Sequence, residues 1–234
     1  MSDGTAERYM VLGCKPWNRR VFDEVIRHYP GAWTYMDGRE ELTPEQVSQV
    51  APRYLFFLHW SWIVPEEIVG PYECVGFHMT DLPYGRGGSP LQNLIVRGHR
   101  RTVLTALRMV RDLDAGPVYL KKELSLEGSA EEILIRASHL AGHMIRRIIT
   151  EHPDPIPQSG EPVVFQRRRP EQSRIPRLEN LQTLYDFIRM LDAEGYPRAF
   201  LEHEGFRFEF CRAALRDGRI NADVAITPCQ ESQS

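Results

Sequence analysis

The chain of 234 residues has little cysteine: Cys14, Cys74, Cys211 and Cys229 lie far apart, and none forms a Cys-x-x-Cys pair. That spacing excludes a disulfide framework and a zinc ribbon, and it predicts reduced, mostly buried thiols in a cytoplasmic setting. No apolar run reaches the roughly 18 residues that a bilayer span needs, so no membrane association is expected. The stretch Met1–Arg8 is polar and has no signal-peptide core. An excess of positive charge is also missing. The net charge is −3, which argues against a general nucleic-acid or anionic-membrane binder and predicts no nucleic-acid partner. There is no internal repeat. The first strand-to-helix turn, Gly13-Cys14-Lys15-Pro16-Trp17, lacks the Gly-x-Gly-x-x-Gly of dinucleotide sites.

What is present reads as an α/β protein. A hydrophobic content of 42% is ordinary for a globular chain and enough for one sizeable core with a small appendage. Tyr9–Cys14, Ala32–Met36, Tyr54–His59 and Cys74–Met79 read as strands. Arg19–His28 and Pro44–Val50 have helical spacing. This alternation predicts an open, mostly parallel, Rossmann-like sheet flanked by helices. Leu91–Val96 reads as a short helix, and Val103–Val110 and Val118–Leu126 as strands. Gly128–Glu151 reads as a long helix opened by a Ser129/Glu132 capping box. His152–Gly160 is Pro-rich and polar and reads as a linker. Beyond it come a helix over Leu178–Ala193 and strands over Ala199–Glu202, Phe206–Leu215 and Ile220–Ile226, turning at Glu204-Gly205 and Asp217-Gly218. Cys229–Ser234 reads as a frayed tail. The expected organisation is a catalytic region over 1–152 and a small α+β region over 153–234, whose strands offer an edge for a homodimer.

The chemistry concentrates between Phe77 and Tyr119. His78 stands ahead of Asp81-Leu82-Pro83-Tyr84-Gly85-Arg86-Gly87-Gly88-Ser89-Pro90, and Asp114 stands in Leu113-Asp114-Ala115-Gly116-Pro117. A loop so rich in glycine and proline is shaped for close approach to a ligand. An imidazole at the end of a parallel strand and a carboxylate on a later turn are sufficient for proton transfer at a carbonyl centre. Taken singly, His78 also fits a core histidine and Asp114 a turn cap. His139 and His143 sit four apart on the long helix, but no third ligand is in register and no metal site is expected.

These residues resemble the signature of the folate-dependent formyltransferases, His-x-Ser-Leu-Leu-Pro-x-x-Arg-Gly-x-x-Pro followed by Asp-x-Gly. His78, Leu82, Pro83, Arg86, Gly87 and Pro90 fall on the first part, and Asp114 and Gly116 on the second. The resemblance implies formyl transfer from 10-formyltetrahydrofolate to a primary amine, with His78 and Asp114 catalytic. It places the folate beside Trp60, Trp62, Leu82, Arg86, Gly87, Val110 and Leu113. The wording of the loop, together with Arg167-Arg168-Arg169, is similar to the small sugar-modifying members. The expected substrate is therefore a nucleotide-linked amino sugar of glycan biosynthesis, held by Tyr84, Arg167, Arg168 and Arg169, since guanidinium groups bind diphosphates bidentately. The alternatives are a methionyl-tRNA formyltransferase-like enzyme, a 10-formyltetrahydrofolate hydrolase, or a non-catalytic folate- or nucleotide-sugar-binding homologue. One position departs from the family: Gly76 stands where the signature has an Asn two residues before the His. Its carboxamide would donate to the developing oxyanion, and one such donor is worth about 10²–10³ in rate. Thr80, Asn93 or an ordered water is expected to take its place.

Overall fold

The computed structural model describes residues 6–229. Its central sheet has six strands in the order β2-β1-β3-β4-β6-β7. These are β1 (Arg8–Gly13), β2 (Ala32–Met36), β3 (Tyr54–Leu58), β4 (Cys74–His78), β6 (Arg101–Arg108) and β7 (Val118–Ser125). The first four pair in parallel, and β4 pairs antiparallel with β6. The mostly parallel sheet expected from the alternating pattern is what the chain forms. β3, Tyr-Leu-Phe-Phe-Leu, is buried at every position, because a central parallel strand is covered on both faces and needs a continuous apolar run. The strand order turns back between β1 and β3, so loops at their carboxyl ends diverge and leave a crevice there.

The chain divides into two compact units. Of the described residues, the first takes in 6–87, 102–124 and 134–164; the second takes in 88–101, 125–133 and 165–229. In the first unit, α1 (Pro16–Glu24) buries Trp17, Val21 and Phe22. Asn18 Nδ2 donates to Ser138 Oγ of α5 (Ala130–Glu151) at 2.9 Å. A Cβ on Gly142 would stand 3.3 Å from Val21 Cγ1, so a side chain there would be tight. On the opposite sheet face Met10, Leu12, Leu55, Phe57 and Cys74 form a buried cluster with Val47 and Ile68, from α2 (Pro44–Val50) and α3 (Glu66–Val69). Full burial of each such side chain contributes about 1.5–3 kcal/mol.

The interleaved units differ from a single cut at residue 152. His152–Gly160, expected as a linker, runs along the first unit: Ile156 and Val118 exchange backbone hydrogen bonds of 2.7 and 2.8 Å. The Pro/Gly loop contains a short strand, β5 (Tyr84–Gly87), which pairs with β8 (Val163–Phe165).

In the second unit α4 (Pro90–Val96) and α6 (Leu181–Arg189) supply the core residues Leu91, Leu94, Phe187 and Ile188. The helix expected over Leu178–Ala193 is shorter because Asn180 caps it. Thr183 N donates to Asn180 Oδ1 at 3.0 Å, so the helix starts at Leu181. The long helix begins with the expected box, Glu132 N donating to Ser129 Oγ and Ser129 N to Glu132 Oε2. Strands β9 (Ala199–His203), β10 (Phe206–Arg216) and β11 (Arg219–Pro228) form the expected antiparallel sheet. Its turns carry φ of 48° and 77° at Glu204-Gly205 and 50° and 71° at Asp217-Gly218, the positive pair that a tight hairpin turn requires. Of the tail read over Cys229–Ser234, residues 230–234 lie outside the described residues, as do residues 1–5. No described helix is long and apolar enough to cross a membrane.

Candidate active site

His78 closes β4 and is 8% exposed. Its Nε2 lies 2.7 Å from the carbonyl oxygen of Gly85. A carbonyl only accepts, so Nε2 carries the proton and Nδ1 is left for other chemistry. Nδ1 faces Asp114 Oδ2 at 3.6 Å, too long for a hydrogen bond. Thr80 Oγ1 also donates to Gly85 O at 3.4 Å, and Thr105 Oγ1 donates to Thr80 O at 2.6 Å. The carbonyl that orients the imidazole is therefore itself held by the buried Thr80 hydroxyl, and the Thr80 backbone is held in turn by Thr105.

Asp114 sits on the turn between β6 and β7 with φ +53°, a left-handed conformation uncommon outside glycine, asparagine and aspartate. The turn is close-packed. A Cβ on Gly116 would lie 1.8 Å from Arg108 O, so only glycine fits there. Asp114 Oδ2 accepts the Gly87 N–H at 2.9 Å, which joins the Pro/Gly loop to the turn. Gly85 and Gly87 take φ of 77° and 101°, as this close approach demands. Pro83 O accepts from Val163 N at 3.2 Å, and Lys121 Nζ donates to Leu82 O at 2.6 Å.

Gln158 completes the site. It lies in the stretch expected as a linker, and no local sequence signal marks it. Its Nε2 donates to Asp114 O and Gly116 O, both at 2.8 Å, and its Oε1 accepts from Arg86 Nη2 and Nε at 2.8 and 3.1 Å.

The sequence-predicted residues thus sort into groups. His78, Asp114, Arg86 and Gly87 converge. Leu82 is 1% exposed, so its side chain belongs to the core and only its backbone can face a ligand. Tyr84 is half-buried. Trp60 packs against the same core cluster as Met109 and meets Trp62 edge-on at 5.0 Å. Trp62, Val110 and Leu113 expose apolar side chains. Trp60 Nε1 is buried and has no hydrogen-bond partner among the described residues. A buried donor near exposed apolar side chains suits a flat heteroaromatic ring with a polar edge.

Arg167, Arg168 and Arg169 lie in the second unit. They do not act as one cluster. Arg168 is half-buried over the Phe187 ring at 5.6 Å, its Nε lacks a partner, and burial lowers its pKa. The Arg169 N–H donates to Gln172 Oε1 at 2.7 Å. Thr80 and Asn93, expected to replace the missing Asn, are otherwise committed. Thr80 is fully buried, and Asn93 Nδ2 donates to the carbonyls of Gly88, Ser89 and Gln166.

Residues 170–227 match the model for the methionyl-tRNA formyltransferase C-terminal domain. A methionyl-tRNA formyltransferase of Bacillus thuringiensis (strain Al Hakam) is 31% identical over 163 residues, 66% of this chain and 52% of that protein. The chain spans about half the length of the curated relatives it matches. Among solved structures, a methionyl-tRNA formyltransferase from Clostridium thermocellum is 45% identical with a TM-score of 0.90, over 95% of this chain and 99% of that one. The chain belongs to the folate-dependent formyltransferase family. Formyltransferases of this kind use 10-formyltetrahydrofolate as formyl donor. HypX from Aquifex aeolicus, solved with tetrahydrofolic acid, shares the fold at 17% identity and a TM-score of 0.72, over 90% of this chain and 38% of that one. These formyltransferase relatives also correct the expected acceptor. Proteins 31% and 45% identical are methionyl-tRNA formyltransferases, which overturns the nucleotide-linked amino sugar and, with it, the expected absence of a nucleic-acid partner. The net charge misled because it sums over the whole chain. Gly88–Arg101 holds three arginines and no carboxylate, and Arg167–Arg169 adds three more.

Proposed function

We propose that this protein moves a formyl group from 10-formyltetrahydrofolate to the free amine of an amino acid esterified to tRNA, as a methionyl-tRNA formyltransferase does. The observation that carries the reading is the His78–Gly85–Asp114 arrangement in a chain 45% identical to such an enzyme over nearly its full length.

The donor supplies the one-carbon group when bound, and Trp60, Trp62, Val110 and Leu113 are the residues that would hold it. His78 does the central work. With Nε2–H committed to Gly85 O, the protonated ring offers Nδ1–H to negative charge developing on the formyl oxygen. Asp114 accepts a proton from the attacking amine, and the bond from the formyl carbon to the donor nitrogen breaks as His78 gives its proton to that departing nitrogen. The Arg86 guanidinium donates to the neutral Gln158 carboxamide, so its partner there does not offset its positive charge. Arg167–Arg169 would contact tRNA phosphates, which position without reading sequence. A cytoplasmic setting fits the four free cysteines.

The test is incubation of the purified chain with 10-formyltetrahydrofolate and methionyl initiator tRNA, followed by mass spectrometry of the released amino acid. Formylmethionine is expected, and its absence would overturn the reading. Gly76 favours one second reading, a non-catalytic folate-binding homologue. Saturable folate binding without formylation of any aminoacyl-tRNA would select it.

A further inference from the structure

We propose that Gln158 is a positioning residue of the candidate site, locking the Asp114 turn to Arg86 while leaving the arginine's charge free. The proposal rests on the formyl-transfer reading above. A carboxamide has two N–H donors and one carbonyl acceptor, and each makes its contacts here. The amide hydrogens go to Asp114 O and Gly116 O at 2.8 Å each, and the oxygen takes both Arg86 donations at 2.8 and 3.1 Å. Asp114 is gripped twice, its carbonyl by Gln158 and its carboxylate by the Gly87 N–H at 2.9 Å. Those two grips set where Oδ2 stands, 3.6 Å from His78 Nδ1.

The choice of Gln rather than Glu follows from the same contacts. A carboxylate at 158 would still accept from Arg86, but it would neutralise the guanidinium and face the carbonyls of Asp114 and Gly116 without a proton to donate. A leucine would fill similar space and make none of the bonds. The backbone path is independent of the side chain, because the Ile156 and Val118 backbones bond to each other. Losing Gln158 therefore leaves the strap in place and loosens the turn.

The test compares Gln158→Leu and Gln158→Glu with the native full chain, using methionyl-tRNA as acceptor. Q158L should lower kcat by 10- to 100-fold, because misplacement by about 1 Å can cost that much. The KM for tRNA should stay within about two-fold, since the positioning of the turn matters to the transition state more than to remote binding. Q158E should be weak at about pH 8, and its rate relative to the native chain should rise towards about pH 5, where a protonated carboxyl regains one donor. A purely structural role would not produce that pH-dependent ratio. A readout independent of turnover is hydrogen exchange at the Gly87 amide, which should quicken in Q158L while the β3 amides stay protected. Native-like kcat in both variants, or a flat Q158E ratio, overturns the proposal while leaving formyl transfer standing. If the native chain forms no formylmethionine, the formyl-transfer reading fails by itself. An unchanged Gly87 exchange rate would then overturn the positioning role, and a quickened one would retain it as a structural fact about the turn.

Discussion

His78 takes its orientation from a carbonyl, Gly85 O at 2.7 Å, rather than from the carboxylate beside it. That leaves Nδ1 facing Asp114 at 3.6 Å as the nitrogen the proposed transfer would use. His78→Ala and Asp114→Asn should each lower turnover by about 10²–10⁴, with an unchanged circular dichroism spectrum. Either variant retaining more than a tenth of native kcat would remove that residue from the proposed chemistry. Gly76 presents a different case. A Cβ there would meet Met109 Cγ at 3.3 Å and Sδ at 3.6 Å, the end of a flexible side chain that can give. Gly76→Asn should therefore fold and hold or raise kcat with methionyl-tRNA. A fall of ten-fold or more in steady-state kcat would show that the pocket has diverged from needing the donor. Residue types at His78, Arg86, Asp114 and Gly116 were legible because each carries chemistry or a steric demand in its own local pattern. Gln158 was not, because its partners lie more than 40 residues away and nothing in a Pro-rich stretch distinguishes a clamp from a connector.

At the scale of elements, caps and turn glycines decide where the pieces stop. Asn180 is exposed, so its contribution is the cap itself: Asn180→Ala should destabilise the protein by about 1 kcal/mol, seen as a lower urea midpoint with an unchanged slope. An unchanged midpoint would mean that packing of Phe187 and Ile188 alone sets the helix start. The hairpin turns at Glu204-Gly205 and Asp217-Gly218 were readable for the same local reason, since Asp-Gly and Glu-Gly sequences tolerate positive φ. Strand β5 and its partner β8 were not readable. Tyr-Gly-Arg-Gly has no strand pattern, and the pairing exists only because Val163–Phe165 arrives beside it.

At the scale of the molecule, His59 links stability to pH. It lines a small, mostly apolar cavity with Leu58, Phe77, Leu104 and Ala141. Burial, with help from the nearby Lys15 ammonium, lowers its pKa from 6.5 to about 4. The unfolded chain binds that proton more readily, so stability is full above about pH 6.5 and is lost as pH falls towards 4. His59→Asn keeps a residue tolerant of φ +50° and should flatten this acid limb; thermal melts between pH 7 and 4 that fall in parallel for both proteins would refute the link. The second whole-molecule expectation concerns tRNA. If Arg168 and Arg169 touch phosphates, replacing both with glutamine should raise KM for tRNA several-fold with little change in kcat, and should flatten the dependence of KM on salt. An unchanged salt slope would place the tRNA elsewhere.

The sequence by itself determined the parallel α/β core, the His78 loop, the Asp114 turn and the family, because hydrophobic period, glycine placement and motif spacing are local properties that survive without coordinates. The tertiary structure decided three things. It set the tautomer of His78, brought Gln158 to Arg86 and Asp114, and interleaved the two compact units. The tautomer depends on how the loop after β4 folds back onto His78; the other two depend on contacts between segments far apart in the chain, which form only once burial of the apolar strands has brought those segments together. The acceptor was misjudged on the wording of the loop and the Arg167–Arg169 run, and the nucleic-acid partner on net charge, a sum that says nothing about where on a folded surface the arginines stand.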